Sequence, residues 1–227
     1  MNRSIVGRLV AKDLYLYRWL MVTALLAGVV SLVISSVSPG DNVATGLNPG
    51  VVLFMTTIIA FGIFISMLGI LKERQDGSQL FVLSLPVSPG EYAIAKVWAA
   101  LAAFLVPWML LTAGVILATL VTGAPRGGLP AFVLMMLYFL ANFCLLMAII
   151  VITMSELWSI VGILATNIVL TLFLMNLGRL PGIAGHSQDA AATWAPAATR
   201  IMAIELAVAA LSLVLAIQLP SRRKDLV

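Results

Sequence analysis

Side chains that could carry out chemistry are rare in this sequence. Its one histidine, His186, stands close to Ser187 and Asp189, but a hydrolytic triad is defined by geometry in space and not by adjacency in sequence. We interpret these residues as part of a solvated loop. One histidine and the single Cys144 cannot supply the ligand set of an ordinary zinc site, and we interpret Cys144 as a small packing residue.

The sequence also lacks a nucleotide-binding motif. It contains no Gly-Lys dipeptide, so it has no glycine-rich phosphate loop of the G-x-x-x-x-G-K-[ST] type. We therefore expect a protein that is not an enzyme and that binds no cofactor itself.

A few polar residues interrupt otherwise apolar stretches. Glu205 could contact a cationic substrate or a gate, or it could pair with Arg179 or Arg200 at the rim of the membrane; we favour the ion pair. Asn142 and Asn167 either bridge helices or line a pathway, and the sequence does not separate the two roles.

These residues must be positioned by membrane-spanning helices. The 227-residue chain is 62% hydrophobic and only 10% charged, whereas soluble domains carry about 25% charged residues. Apolar runs of about 20 residues predict transmembrane helices, and the period-two pattern of a barrel is absent. The sequence predicts an all-α membrane protein with one domain, 1–227, in contact with membrane lipid. Six spans are predicted, at about 19–37, 50–71, 89–122, 130–154, 157–177 and 199–219.

The distribution of basic residues predicts the orientation. With six spans both termini lie on one side, and that side holds ten of the 13 lysines and arginines. The positive-inside rule then places both termini and the segment 72–96 in the cytoplasm, with the protein in the cytoplasmic (inner) membrane. The net charge of +4 is not a signal for nucleic-acid binding.

The segment before the first span has a helical period. In 3–18, "RSIVGRLVAKDLYLYR", apolar side chains such as Leu9 and Tyr17 alternate with Arg8 and Lys12 at a spacing of about 3.6 residues. This favours an amphipathic helix in the membrane interface, which turns into the first span at Arg18-Trp19. A disordered basic segment is the alternative.

The segment 72–96, "KERQDGSQLFVLSLPVSPGEYAIAK", is unusually polar for this chain. Ser88-Pro89-Gly90-Glu91 has the pattern of a capping box, so the third helix is predicted to begin at Pro89 and to bend at Pro107. A weaker cap predicts a short helix at 76–85 that Pro86 ends. Its apolar side chains need cover, either from the membrane face and neighbouring helix ends or from a partner protein.

The last loop between spans, 178–198, has two interpretations. Its apolar residues could form a broken re-entrant segment, or it could be a plain extracellular loop.

The segment 72–96 resembles the first cytoplasmic loop of type-2 ABC exporter permeases. That loop has the pattern E-R-x-x-G-(x)-L-(x)-L-P-(V/L)-S-x-x-E-(Y/I)-x-x-x-K. The matching residues are Glu73, Arg74, Gly77, Leu80, Leu85, Pro86, Ser88, Glu91, Tyr92 and Lys96. The N-terminal "KDLYLYR", the six spans and the C-terminal "SRRKDL" are also similar to the family's organisation.

The resemblance implies that 76–85 is a coupling helix that docks on a separate ATP-binding cassette subunit, with Leu80 and Phe81 as its anchors. It also implies that Glu156, in the next cytoplasmic turn, makes a minor second contact. The residues implied to couple to the ATPase are Glu73, Asp76, Gly77, Leu80, Phe81, Leu83, Leu85, Glu91 and Glu156.

The resulting hypothesis is a permease subunit of an ABC exporter. It would work as a dimer of permeases, a second copy being its partner, and the ATPase subunit would bind ATP and Mg²⁺. A small ion- or proton-coupled carrier and a non-transporting membrane scaffold or assembly factor are the alternatives. The substrate is open.

Overall fold

The computed structural model describes residues 3–37, 48–71, 89–180, 183 and 189–222. Within these ranges all regular structure is helical. The helices are α1 (Arg3–Val37), α2 (Pro49–Ser66, continued by a π-helical turn at Met67–Leu71), α3 (Pro89–Thr122), α4 (Leu129–Thr153), α5 (Glu156–Leu177) and α6 (Pro196–Arg222). Each contains a stretch long and apolar enough to cross a membrane, which confirms the prediction of a polytopic helical membrane protein.

The predicted helix ends agree with the structure where local sequence signals define them. The helix α3 begins at Pro89 and ends at Thr122, as predicted, and Gly123 follows it with a φ of 67°, a left-handed conformation that glycine adopts without strain. At the start of α2, the side chain of Asn48 accepts a hydrogen bond from the Gly50 amide at 2.9 Å, and Pro49 occupies the first turn.

The first helix differs from the prediction. The helix α1 runs without interruption for 35 residues, so the segment 3–18 and the first span, which the sequence analysis treats separately, form one continuous helix. No proline or glycine lies between Gly7 and Gly28, and nothing in the backbone therefore stops the helix where its surroundings change. The interfacial position of 3–18 stays a prediction, as does the bend at Pro107.

The fourth helix is the centre of the bundle. It contacts α2, α3, α5 and α6, whereas α1 packs against α2 and α3. Aromatic rings tie the middle of the bundle together: Phe104 stacks on Phe143 with ring centroids 4.1 Å apart and lies 5.9 Å from Phe61. The Trp108 indole donates a hydrogen bond to the Met136 carbonyl at 2.9 Å, which links α3 to α4.

The helices α1, α2 and α3 approach one another closely. A Cβ at Gly50 would collide with the backbone of Ser31 and Ser35 in α1, and a Cβ at Gly69 would collide with the Tyr17 hydroxyl. Small residues allow such approaches between membrane helices. The Tyr17 contact places the start of α1 at the end of α2, and the start of α1 also contacts the start of α3 through Asp13 and Lys96. We call this region the N-terminal end of the bundle.

The loop after α5 is held at the opposite end. Ile183 is buried against Leu134, Leu177 and Ala198, and the Asp189 carbonyl accepts a hydrogen bond from the Gly127 amide at 3.0 Å. The described residues between α5 and α6 form turns, bends and irregular structure. Because 181–182 and 184–188, which include His186 and Ser187, lie outside the described residues, the re-entrant and plain-loop interpretations both stay open.

Candidate functional site

An ion pair is buried at the N-terminal end of the bundle. Lys96 Nζ lies 2.7 Å from Asp13 Oδ2, and the two side chains are 6% and 2% exposed. Lys96 belongs to the second turn of α3 and Asp13 to the first part of α1, so the pair joins two helices through residues that are 83 positions apart in sequence. The ammonium also lies 5.6 Å from the Tyr92 ring centroid, within the range of a cation–π contact.

Sequence reasoning missed this pair. In the sequence, Lys96 matches the permease pattern and lies on the side of the membrane that holds the termini, but no motif predicts that it pairs with Asp13. A signal was available, since Asp13 comes four residues after Leu9 and four before Tyr17 and therefore shares the apolar face of α1. A carboxylate on an apolar helix face requires a buried partner.

The residues implied to couple to an ATPase divide into two groups. Glu91 is half-buried in the first turn of α3, and Glu156 is exposed in the first turn of α5. The remaining coupling residues lie outside the described part of the chain: Glu73, Asp76, Gly77, Leu80, Phe81, Leu83 and Leu85. The coupling helix therefore stays a prediction.

A second candidate site is a cleft of about 450 Å³ between α4, α5 and α6. Both α5 and α6 pack along α4, but contacts between α5 and α6 themselves are sparse. The space left between them forms the cleft. Its lining residues are Tyr138, Ala141, Asn142, Leu145, Ile149, Gly162, Ala165, Thr166, Val169, Phe173, Ile201, Ile204, Glu205 and Val208.

Glu205 is the one carboxylate that lines this cleft. It is 6% exposed, and neither carboxylate oxygen has a hydrogen-bond partner among the described residues. The favoured pairing with Arg179 or Arg200 is therefore wrong, and both arginines are exposed.

The position of Glu205 along its membrane span also differs from the prediction. Glu205 is nine residues into the span Pro196–Leu219, about 13 Å along a span about 36 Å long. It therefore lies closer to the middle of the membrane than the sequence-based boundary at 199 suggested. A charged carboxylate at the centre of a membrane helix costs about 2.5–3.5 kcal/mol on insertion scales, so such residues are usually retained for function.

The two asparagines have different surroundings. Asn142 lines the cleft, and its Oδ1 atom is buried without a hydrogen-bond partner. Asn167 is turned back to its own helix, where Nδ2 donates to the Ile163 carbonyl at 2.8 Å, and it is not a lining residue. Of the candidate pathway or gate residues, Glu205 and Asn142 are therefore brought together and Asn167 is not.

Comparisons with known proteins add no relative. No protein-family model, no curated protein and no solved structure matches this chain. Among the described residues no cluster of His, Cys, Asp and Glu could hold a metal ion.

Proposed function

We propose that this chain is the membrane-spanning permease subunit of an ATP-binding cassette exporter. Two copies would form the transport unit, with both termini on the cytoplasmic side of the inner membrane. A separate subunit would bind ATP and Mg²⁺ and hydrolyse the nucleotide, and this chain would convert the movement of that subunit into export.

The observation that carries the proposal is the placement of α3. This helix of 34 residues starts at Pro89, within the segment 72–96 that resembles the ATPase-docking loop of type-2 permeases. Its length of about 51 Å exceeds the hydrocarbon thickness of about 30 Å. A force applied to 76–85 would therefore reach α3 after only three intervening residues.

The buried ion pair supports the same role. Separating Lys96 from Asp13 would break a 2.7 Å contact between two buried charged groups, which is costly. The starts of α1 and α3 should consequently move together. A force on the segment 76–85 would therefore displace α1 and α3 together and not α3 alone.

The proposal is tested by co-purification. The chain is expressed together with a candidate ATP-binding cassette ATPase from the same genome, and both wild type and Leu80→Asp/Phe81→Asp are purified in mild detergent. We expect the ATPase to co-purify with wild type and to be lost from the double variant, because two charges would be placed on the proposed anchors.

A matched control carries the same chemical change at the other end of the bundle. Val37→Asp/Val121→Asp places two aspartates at the exposed C-terminal ends of α1 and α3 and should keep the ATPase. Retention of the ATPase by the Leu80/Phe81 variant, or its absence from wild type, would contradict the proposal.

A small ion- or proton-coupled carrier is the second candidate, and the depth of Glu205 favours it. Such carriers place ionisable residues near the middle of the membrane. The two candidates differ in their energy source. Uptake or efflux that follows an imposed proton or sodium gradient in vesicles holding this chain alone would favour the carrier, whereas transport that requires the ATPase subunit and ATP would favour the exporter.

A further inference from the structure

We infer that the cleft between α4, α5 and α6 binds a lipophilic cation, that is, an ammonium group attached to an apolar body. The inference deepens the proposed function, since it names the class of substrate on which an exporter of this kind would act. It can be tested without the ATPase subunit, because binding to the cleft requires only this chain.

The polar atoms of the cleft define the charge of the ligand. The two Glu205 oxygens and Asn142 Oδ1 are all hydrogen-bond acceptors, and all three are buried without a partner among the described residues. The Tyr138 hydroxyl does not supply the missing donor, because it donates to the Thr166 carbonyl at 3.1 Å. A ligand that satisfies these acceptors must carry N–H or O–H donors, and a positively charged ammonium group would in addition complement the ionised carboxylate.

The remaining walls define the body of the ligand. The lining side chains other than those of Tyr138, Asn142, Thr166 and Glu205 carry no polar atom. Tyr138 stacks on Phe173 with centroids 4.6 Å apart, so one wall presents aromatic rings on which an ammonium or an aryl group can rest. A volume of about 450 Å³ falls within the range of about 300–1,000 Å³ that holds small organic ligands.

Access to the cleft is lateral. Ile204 and Val169 line opposite walls and are 62% and 52% exposed, so the cleft is open between α5 and α6 at the depth of the hydrocarbon. A ligand that enters this way must first dissolve in the membrane. This requirement selects an amphipathic cation over a hydrophilic ion.

The test uses two fluorescent probes that differ in charge. Dansylcadaverine carries a primary ammonium, and N-butyl dansylamide is its neutral counterpart of similar size. Binding of each is measured by dansyl fluorescence on the purified permease in nanodiscs of phosphatidylcholine, without an ATPase and against empty nanodiscs. We expect wild type to bind the ammonium probe at least about tenfold more tightly than the neutral probe.

Three variants connect binding to the cleft. Glu205→Gln keeps the shape of the side chain. It should lower the affinity for the ammonium probe about tenfold or more and leave the affinity for the neutral probe unchanged. Asp189→Asn removes an exposed carboxylate outside the cleft and should alter neither affinity. Ala165→Phe fills the cleft from α5 without changing Glu205 and should weaken both probes, so the inference can still be tested if Glu205→Gln fails to fold.

Four results would overturn the inference. Equal binding of the two probes by wild type, or unchanged ammonium binding in Glu205→Gln, would mean partition into an apolar surface. If phosphatidylethanolamine added to the nanodisc lipid displaces the ammonium probe, the ligand of the cleft is a membrane lipid. If neither probe binds to a folded dimer, the second copy of the chain covers the cleft. Since no ATPase is present, none of these results decides whether the chain couples to one.

Discussion

At the residue scale, the ion pair between Asp13 and Lys96 is a close, buried polar contact between α1 and α3. We predict that Lys96→Met alone lowers the free energy of unfolding by about 3–5 kcal/mol, because it removes the buried ammonium that lies 2.7 Å from the buried Asp13 carboxylate. Asp13→Leu alone should have an effect of the same sign. Thermal unfolding in detergent, followed by tryptophan fluorescence, measures both.

The double variant Asp13→Leu/Lys96→Met decides whether the two residues act as a pair. Removing both charges leaves a buried apolar contact, so the double variant should be markedly more stable than either single variant. Additive losses would contradict direct coupling. If the double variant is stable yet loses ATP-dependent transport while it still binds the ATPase, the pair serves to join α1 to α3 during coupling.

At the element scale, the junction of α1 and α2 depends on a close approach of two backbones. We predict that Gly50→Ala lowers the free energy of unfolding by about 1–3 kcal/mol, since the added methyl group would meet the backbone of Ser31 and Ser35. The Asn48 side chain, which also donates to the Ser35 carbonyl at 3.1 Å, leaves the junction little freedom to adjust. Thermal unfolding in detergent tests this.

Gly114→Ala is the matched control for this prediction. Gly114 lies within α3, and an added Cβ would meet nothing within 4 Å. Alanine forms helices more readily than glycine, so this variant should be unchanged or more stable by up to about 1 kcal/mol. Equal destabilisation by the two substitutions would show that contact with α1 is not the cause.

The elements also show what the sequence could and could not predict. The bounds of α3 follow from Pro89 and Gly123, which act locally, and the spans follow from the length of apolar runs. The surroundings of Glu205 depend instead on which faces of α4 and α5 meet α6, which is a property of the packing. Sequence adjacency suggested Arg200 as its partner, but the structure places Asn142 in the same cleft, 63 positions away.

At the scale of the whole molecule, the distribution of charge predicts the orientation in the membrane. The ends of the bundle are unequal, because ten of 13 basic residues are assigned to the side of the termini. Moving them across the membrane is unfavourable during insertion, so this side should face the cytoplasm. In the structure the start of α1, the end of α2 and the start of α3 lie at the same end of the bundle, as the contact of Tyr17 with Gly69 and the pairing of Asp13 with Lys96 show.

The orientation is tested with single cysteines in a Cys144→Ser background, since the Cys144 side chain is fully buried and the substitution is small. We predict that a membrane-impermeant maleimide labels Ala124→Cys, in the turn after α3, in intact spheroplasts. Glu156→Cys, at the start of α5, should be labelled only after the membrane is opened, and denatured samples control for thiol reactivity. The opposite pattern would place the segment 72–96 outside the cell, where no ATPase could dock, and would contradict the exporter as well as the topology.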